Sequence, residues 1–183
     1  DMLPENEGRI KSKTTFDTWE KYQSNLQKGY HQQFLRNVLQ LNRGPLCRDS
    51  CDVYFSEVGR MAGVHATDWS WGALMADFNN DGLKDIFVAN GMYKDVTDQD
   101  FIQFMANDSL VHHKYDNLKL LELLPSEPLS SFAFMNTGDL RFVNKSEEWG
   151  LNTPGFSNGA AYGDLDNDGD LDLVTNNLNR PAS

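Results

Sequence analysis

Short apolar runs bounded by turn-forming residues recur along the chain and predict β-strands. Residues 53–55 and residues 140–143 are two such runs, rich in Val, Leu, Tyr and Phe. Four more runs flank two acidic segments: residues 72–75 and 86–89 around the first, and residues 159–162 and 171–174 around the second. Small residues begin the first run of each pair, which suits a crowded interior. The pattern predicts a mainly β protein.

Turn residues between apolar runs predict two hairpins. The clearer one covers residues 132–143 and has four turn-forming residues near its centre, Asn136, Thr137, Gly138 and Asp139. Residues 42–44, with the sequence Asn-Arg-Gly, begin a matching but longer hairpin in the first half of the chain. The extra length of that hairpin contains both cysteines, Cys47 and Cys51.

The two cysteines leave two interpretations open. A disulfide closing this small loop is compatible with an oxidising compartment, and two reduced thiols are equally compatible with the spacing. A zinc site is disfavoured because no second Cys or His pair stands at metal-ligand spacing.

Two longer stretches show helical spacing and predict helical insertions. The first has apolar residues at Phe16, Trp19, Leu26, Tyr30, Phe34, Val38 and Leu41. The second has two groups ahead of Pro125: Phe101, Ile102, Phe104 and Met105, then Leu118, Leu120, Leu121, Leu123 and Leu124. Both insertions come before a predicted hairpin, and we expect their apolar side chains to pack on one face of the sheets.

An internal repeat relates the two halves of the chain. Residues 55–90 overlay residues 142–177 without a gap, at an offset of 87 residues. The identical pairs include Phe55/Phe142, Gly63/Gly150, Ser70/Ser157, Gly72/Gly159, Ala73/Ala160, Asp77/Asp164, Asn80/Asn167, Asp81/Asp168, Gly82/Gly169 and Asp85/Asp172. Because the match begins 22 residues before the acidic segment, it relates two structural units and not two acidic turns alone.

The repeat predicts the organisation of the chain. All 183 residues are expected to form part of one repeat domain. Residues 1–90 would hold the end of a preceding unit, a helical insertion and the first acidic unit. Residues 91–183 would hold the second insertion and the second acidic unit.

The net charge of the chain disfavours one class of binding partner. The formal net charge of −11 argues against nucleic-acid binding, which depends on Lys and Arg meeting phosphates. No apolar stretch approaches the roughly 20 residues that a membrane-spanning helix needs. An acidic chain of this kind is compatible with a protein that holds divalent cations.

The two acidic segments share the pattern D-x-[DN]-x-D-G-x-x-D, which predicts calcium loops. Calcium takes six to eight oxygen ligands, and alternate positions of such a loop can point oxygens at one ion while Gly at position 6 permits the turn. The predicted ligands of the first ion are Asp77, Asn79, Asp81, Leu83 and Asp85. Those of the second are Asp164, Asp166, Asp168, Asp170 and Asp172. Leu83 and Asp170, at position 7, would offer their backbone carbonyls.

Other interpretations of these loops are weaker. An EF-hand needs Glu at position 12 and flanking helices, whereas position 12 is Val88 or Thr175 and the flanking residues are strand-like. Magnesium prefers rigid octahedral sites that retain several waters. An ordinary Asp-Gly turn is disfavoured because two carboxylates about 5 Å apart repel by roughly 3 kcal/mol at an effective dielectric constant of about 20.

No catalytic constellation accompanies the loops. The sequence has neither a G-x-S-x-G motif nor a glycine-rich phosphate loop, and the best acidic clusters are already assigned to calcium. We therefore do not expect an enzyme.

The sequence resembles FG-GAP repeats, also called VCBS repeats. The resemblance lies in the two acidic loops and in the strings Trp-Gly-Ala at residues 71–73 and Asn-Gly-Ala at residues 158–160 that precede them. The strings at residues 55–59, 62–64, 68–72 and 176–182 are similar to a bacterial branch with an ASPIC/UnbV region, related to cartilage acidic protein.

This resemblance implies a fold and a role. FG-GAP repeats form blades of β-propellers, as in integrin α-subunit heads, so the chain is expected to make about two blades of an FG-GAP-type β-propeller with helical insertions. Residues 1–5 would be the exit from a preceding blade, and both ends would be cuts through a longer chain whose other blades flank this segment. Calcium, as two ions, would be structural.

The resemblance also implies a location and partners. An extracellular, cell-surface or periplasmic protein is expected, serving recognition of a protein or a glycan. The alternatives are part of a polysaccharide-active enzyme and a purely structural spacer.

The second loop is predicted to bind calcium more tightly than the first, because the first has the neutral Asn79 and the adjacent cation Lys84. Asp172→Ala should therefore cost more calcium affinity than Asp85→Ala. Titration calorimetry on both variants compares the losses, and a larger loss from Asp85→Ala contradicts the ranking.

Overall fold

A computed structural model describes residues 2–13, 18–45, 52–106 and 116–183. The helices are α1 (Glu7–Ser12), α2 (Trp19–Gln27), α3 (Gly59–Ala62), α4 (Gln99–Met105) and α5 (Asn117–Leu123). The strands are β1 (Gln40–Pro45), β2 (Val53–Glu57), β3 (Ser70–Ala76), β4 (Asp85–Asn90), β5 (Phe132–Asn136), β6 (Phe142–Asn144), β7 (Ser157–Gly163) and β8 (Asp172–Asn177). The prediction of a mainly β protein with helices is confirmed. Cys47 and Cys51 lie outside the described residues.

The strands form three antiparallel sheets. The central sheet has four strands in the order β3-β4-β5-β6, and β1-β2 and β7-β8 form a two-stranded sheet each. Strand β5 follows α4 and α5 in sequence but pairs with β4. The second insertion, which contains α4 and α5, therefore begins and ends at neighbouring strands of the same sheet.

The sequence repeat is also a repeat of strand pairing. All six residue pairs between β3 and β4 recur between β7 and β8 at the offset of 87, including the irregularity after the first pair. The hairpins β1-β2 and β5-β6 correspond as well, since Asn42 pairs with Phe55 and Asn136 pairs with Phe142. The repeating unit thus has four strands, β1 to β4, and the central sheet combines strands from two successive units.

Strand β4 is the centre of the core. All six of its residues are buried. On one face, Ile86 and Val88 join a cluster with Ala62, Val64 and Phe134.

The opposite face of β4 is covered by the β7-β8 hairpin. Phe87 and Ala89 form a second cluster there with Ala133, and Ala160 of β7 and Leu173 of β8 pack against it. The two faces of β4 therefore pack in two separate hydrophobic clusters.

Strands β3 and β7 approach each other closely at Gly72. A Cβ atom at this position would lie 3.4 Å from the backbone nitrogen of Ala160 and 3.5 Å from the Cα of Gly159. A larger side chain would push the two strands apart, which explains the small residues there and confirms the crowded interior.

The first helical insertion is shorter than its apolar spacing predicted. Helix α2 ends before Gly29, which has a left-handed φ of 78°, and the N–H of Tyr30 donates to the carbonyl of Asn25. This Schellman arrangement stops the helix. Residues 30–39 contain no helix, and Leu41 belongs to β1.

Burial in the two insertions also differs from the expectation. No residue of α2 is buried, and Trp19 remains 69% exposed, so the predicted packing is wrong for this helix. In the second insertion, α4 and α5 form where they were predicted, and Leu120 and Leu124 are buried.

Helix α1 was not anticipated from the sequence. It begins after the N-cap Asn6 and is held by charges: the Arg9 guanidinium binds the carboxylates of Asp68, at 2.5 Å, and Glu127. Lys13, which follows the helix, bonds to Asp95 at 3.1 Å and to Asp98 at 3.0 Å. These ion pairs connect residues 9–13 to Asp68, just before β3, and to the segment between β4 and β5.

Asp95 is the most deeply buried carboxylate of this network, 3% exposed against 6% for Asp68. Burial acts to raise its pKa, but hydrogen bonds from the hydroxyl and N–H of Thr97, at 2.6 and 2.9 Å, and the ammonium of Lys13 outweigh that effect. The pKa of Asp95 therefore lies below its ordinary value. A carboxyl with a depressed pKa stabilises the fold above its unfolded pKa of about 3.9, and this contribution is lost as pH falls through the folded value.

Asp95→Asn is expected to lower the free energy of unfolding by about 1–3 kcal/mol at pH 7, because it leaves Lys13 without its buried carboxylate. The difference from the unsubstituted chain should shrink as pH falls through the depressed pKa of Asp95, because its carboxylate is then protonated and loses its attraction for Lys13. Urea unfolding across this pH range measures it, with the exposed Asp139→Asn as the control. A difference that does not change with pH contradicts the assignment.

Candidate metal centre

Both acidic loops connect two antiparallel strands. The first joins β3 to β4, and the second joins β7 to β8. The ninth residue of each loop, Asp85 or Asp172, is also the first residue of the following strand. The strands predicted on each side of the loops are confirmed.

The two loops have the same backbone conformation. Residues 4 and 6 of each loop adopt left-handed φ angles: 59° at Asn80, 88° at Gly82, 63° at Asn167 and 97° at Gly169. Asn tolerates this region better than most residues, and Gly enters it freely. These two positions turn the chain back on itself, so that the acidic side chains converge.

Backbone N–H groups hold the carboxylates in the same way in both loops. In the first, Asp77 accepts from the N–H groups of Asp81 and Gly82 at 3.1 and 2.9 Å, and Asp81 accepts from Leu83 at 2.8 Å.

The second loop repeats each of these bonds. Asp164 accepts from Asp168 and Gly169, both at 3.1 Å, and Asp168 accepts from Asp170 at 2.9 Å. The local sequence therefore orients its acidic side chains through main-chain donors in both places.

Three carboxylates meet in the second loop. One oxygen each from Asp164, Asp166 and Asp172 lies within 4.8 Å of the other two, and all three residues are exposed. Within the described ranges this is the one group of three or more His, Cys, Asp or Glu side chains with such spacing. Asp168 stays outside it, with one oxygen bonded to the N–H of Asp170.

The third position differs in the first loop. Asn79 replaces the carboxylate of Asp166, and its amide nitrogen donates to Asp81 at 2.9 Å. The amide oxygen of Asn79 accepts from the N–H of Asp81 at 3.1 Å. A neutral oxygen thus stands where the second loop has a charged one.

Asp85 and Asp172 have different surroundings. Asp85 is fully buried, and its two oxygens accept from the N–H groups of Asn136, at 2.8 Å, and Phe78, at 3.2 Å. Asp172 is exposed. It accepts a hydrogen bond from the N–H of Leu165 at 2.9 Å, which corresponds to the bond from Phe78 to Asp85. The difference arises because β5 covers the start of β4, whereas β8 has no strand of this kind beside it in the described chain.

Burial raises the pKa of Asp85. The N–H groups of Asn136 and Phe78 oppose this effect, and the nearby carboxylates of Asp81 and Asp77 add to it. A cation placed among these three carboxylates would relieve both the burial and the repulsion of the charged form.

Contacts between the loops place them side by side. The amide of Asn80 donates to the carboxylate of Asp170 at 2.6 Å, and the rings of Phe78 and Tyr162 meet edge to face at 5.9 Å. The predicted ligands therefore belong to two adjacent sites on one edge of the protein.

Asn136 was identified in the sequence only as a turn residue. Its role beside Asp85 depends on β5 pairing with β4 across the long insertion, which no local pattern reveals. Its side-chain amide also donates to the carbonyl of Lys84 at 3.0 Å, a contact that depends on the same distant pairing.

No protein-family model and no curated protein matches this chain. Among the described helices, none has both the length and the apolar character that crossing a bilayer requires.

Asp85→Ala should lower the free energy of unfolding by about 1–3 kcal/mol in a chelator, because the partly buried N–H groups of Asn136 and Phe78 lose their acceptor. Asp172→Ala should have little effect under the same conditions, since its carboxylate is exposed. Chemical unfolding of both variants in EGTA tests this contrast. Equal losses contradict a structural role for Asp85 that is independent of metal.

Proposed function

We propose that this chain is a calcium-binding segment of an FG-GAP-type β-propeller, comprising about two blades, and that calcium has a structural role. The observation that supports this most directly is the repeated loop geometry. Two loops 87 residues apart have the same φ pattern and the same main-chain bonds to carboxylates, and one of them brings three carboxylates together.

The arrangement of strands supports the blade assignment. A propeller blade is a small antiparallel sheet of four strands in sequence order, packed face to face on its neighbours. The central sheet has this order, and the β7-β8 hairpin packs on one of its faces. The hairpins β1-β2 and β7-β8 then correspond to the outer and inner halves of two neighbouring blades.

The chemistry of the loops favours calcium. Every predicted ligand offers oxygen, from carboxylates, one amide and the backbone, and hard oxygen donors suit calcium or magnesium. Alternate residues of a nine-residue loop supply five ligand positions in each case, which exceeds what magnesium takes from proteins when it retains its waters. The ion would neutralise carboxylates that otherwise repel one another.

The position of the loops supports a structural role for the ions. Each loop fixes the connection between two strands, and Asp85 links the first loop to the buried β4. In this proposal the metal stabilises the edge of the sheets and takes no part in a reaction, and the chain acts in binding and not in catalysis. Its wider role is recognition of a protein or glycan partner outside the cell or at its surface, through loops and insertions carried by the sheets.

Exposed aromatic side chains on the first insertion support such a recognition role. Trp19, Tyr30 and Phe34 are each more than half exposed, although aromatic residues of this size are commonly buried. Trp19 and Phe34 each pack on Tyr22, with ring centroids 5.7 and 6.0 Å apart, and grouped aromatic side chains at the surface are typical of interaction sites.

Saturating calcium should raise the melting temperature by about 5–10 °C for each occupied site at a free concentration about 100-fold above the dissociation constant. Asp166→Ala should lose part of this increase, because Asp166 is one of the three converging carboxylates. Leu165→Ala is the matched control, an exposed position in the same loop that offers no ligand. Differential scanning calorimetry in calcium, magnesium and EGTA measures the effect, and an unchanged melting temperature contradicts the proposal.

A further inference from the structure

The two acidic loops are joined by a polar contact between side chains. The amide nitrogen of Asn80, at position 4 of the first loop, donates to the carboxylate of Asp170, at position 7 of the second, at 2.6 Å. Position 7 of such a loop supplies a backbone carbonyl to calcium, and the first loop has Leu83 there. The carboxylate of Asp170 is therefore not required by its own loop, and it reaches the other one.

The backbone at both ends of this contact is held in place. The N–H of Asp170 donates to the carboxylate of Asp168 at 2.9 Å, which fixes position 7 in the second loop. Asn80 has a left-handed φ of 59°, which belongs to the turn of the first loop. The hydrogen bond thus joins a predicted ligand position of one loop to the turn of the other.

A second contact joins the loops on their core side. The ring of Phe78, at position 2 of the first loop, meets the ring of Tyr162 edge to face at 5.9 Å, and Tyr162 lies two residues before the second loop. The N–H of Phe78 also donates to Asp85 at 3.2 Å. Phe78 and Leu171, at position 8 of the second loop, line one cavity of about 210 Å³. Movement of either loop is therefore restrained by the other at two points.

The charges of the loops do not oppose occupation of both. Residues 77–85 contain three carboxylates and Lys84, a net charge of −2, whereas residues 164–172 contain five carboxylates, a net charge of −5. One calcium ion in each would leave a net charge of 0 in the first loop and −3 in the second. A filled first loop therefore does not repel a second ion, and a filled second loop still attracts one.

We propose that the two loops bind calcium cooperatively, and that the hydrogen bond between Asn80 and Asp170 couples them. This inference rests on the proposed calcium function and specifies how its two sites influence each other. An ion that orders one loop also orders, through the contact, part of the other. The second ion then binds at a lower entropic cost and more tightly. By thermodynamic linkage the coupling is equal in both directions.

The order of filling follows from the predicted affinities. The second loop, which is predicted to bind calcium more tightly, fills first. Its ion holds the backbone of Asp170, whose side chain then holds Asn80 in the turn of the first loop. The weaker loop therefore fills at a lower calcium concentration than it would alone.

Single-site variants measure the coupling. Asp172→Ala disables the second loop and Asp81→Ala disables the first, both at exposed positions. Titration calorimetry with calcium chloride gives one association constant for the intact loop of each variant and two constants for the unsubstituted chain. We define the coupling factor as the product of the two constants divided by the product of the single-site constants. It should be about 5–10, whereas independent sites would give about 1.

Asn80→Gly tests the hydrogen bond itself. It removes the amide without changing the charge of either loop, and glycine adopts a left-handed φ without strain. The same set of titrations in this background should give a coupling factor of about 1. Asp170→Leu, which reproduces position 7 of the first loop and keeps the backbone carbonyl, should have the same effect.

Asn167→Gly is the matched control. Asn167 has position 4 of the second loop and a φ of 63°, and among the described residues it makes no hydrogen bond to the first loop. Its substitution should leave the coupling factor unchanged, because the contact between Asn80 and Asp170 is retained.

The possible results separate this proposal from the calcium function. If the unsubstituted chain binds no calcium, both are overturned. If it binds two ions with a coupling factor of about 1 or less, only the cooperativity is overturned. A coupling factor that persists in Asn80→Gly, or that falls equally in Asn167→Gly, overturns the role of the hydrogen bond.

Discussion

Strand β4 has partners on both of its edges and layers on both of its faces. It pairs with β3 and β5, and its side chains alternate between two separate clusters. Burial of apolar side chains contributes about 1.5–3 kcal/mol for each large residue. A strand buried on both faces tolerates only one pairing register with its neighbours. A shift of one residue would move each set of side chains to the opposite face of the sheet. The register of the central sheet follows from this requirement.

The first acidic loop depends on the same strand. Asp85 is both the last loop position and the first residue of β4, so its carboxylate is anchored to the core at one end and to the loop at the other. The N–H of Asn136 reaches it only because β5 is paired correctly. The second loop has the same local bonds, but among the described strands none takes the position of β5 beside it, and its acidic residues are exposed. Local sequence shapes the loops, and long-range pairing determines how deeply each is embedded.

Features set by neighbouring residues could be predicted from the sequence, and features set by distant pairing could not. The strands around each loop were predictable because Asn80, Gly82 and their counterparts encode the turn locally. Helix α1 was not, because its stability rests on Arg9 and on carboxylates more than 50 positions away. The first insertion was predicted too long because apolar spacing alone does not register the helix-ending effect of Gly29. The repeat was visible in the sequence, but the division of its strands between two sheets was not.

That division has a consequence for folding kinetics. The hairpins β3-β4 and β5-β6 are local and can form within microseconds, whereas joining β5 to β4 requires closure of a loop from Asn90 to Phe132. The entropy of closing such a loop grows only as the logarithm of its length, so a longer or shorter insertion would change the barrier little. Joining the two hairpins therefore has a larger loop-closure cost than forming either one, and the length of the insertion between them can vary at little cost to the finished sheet.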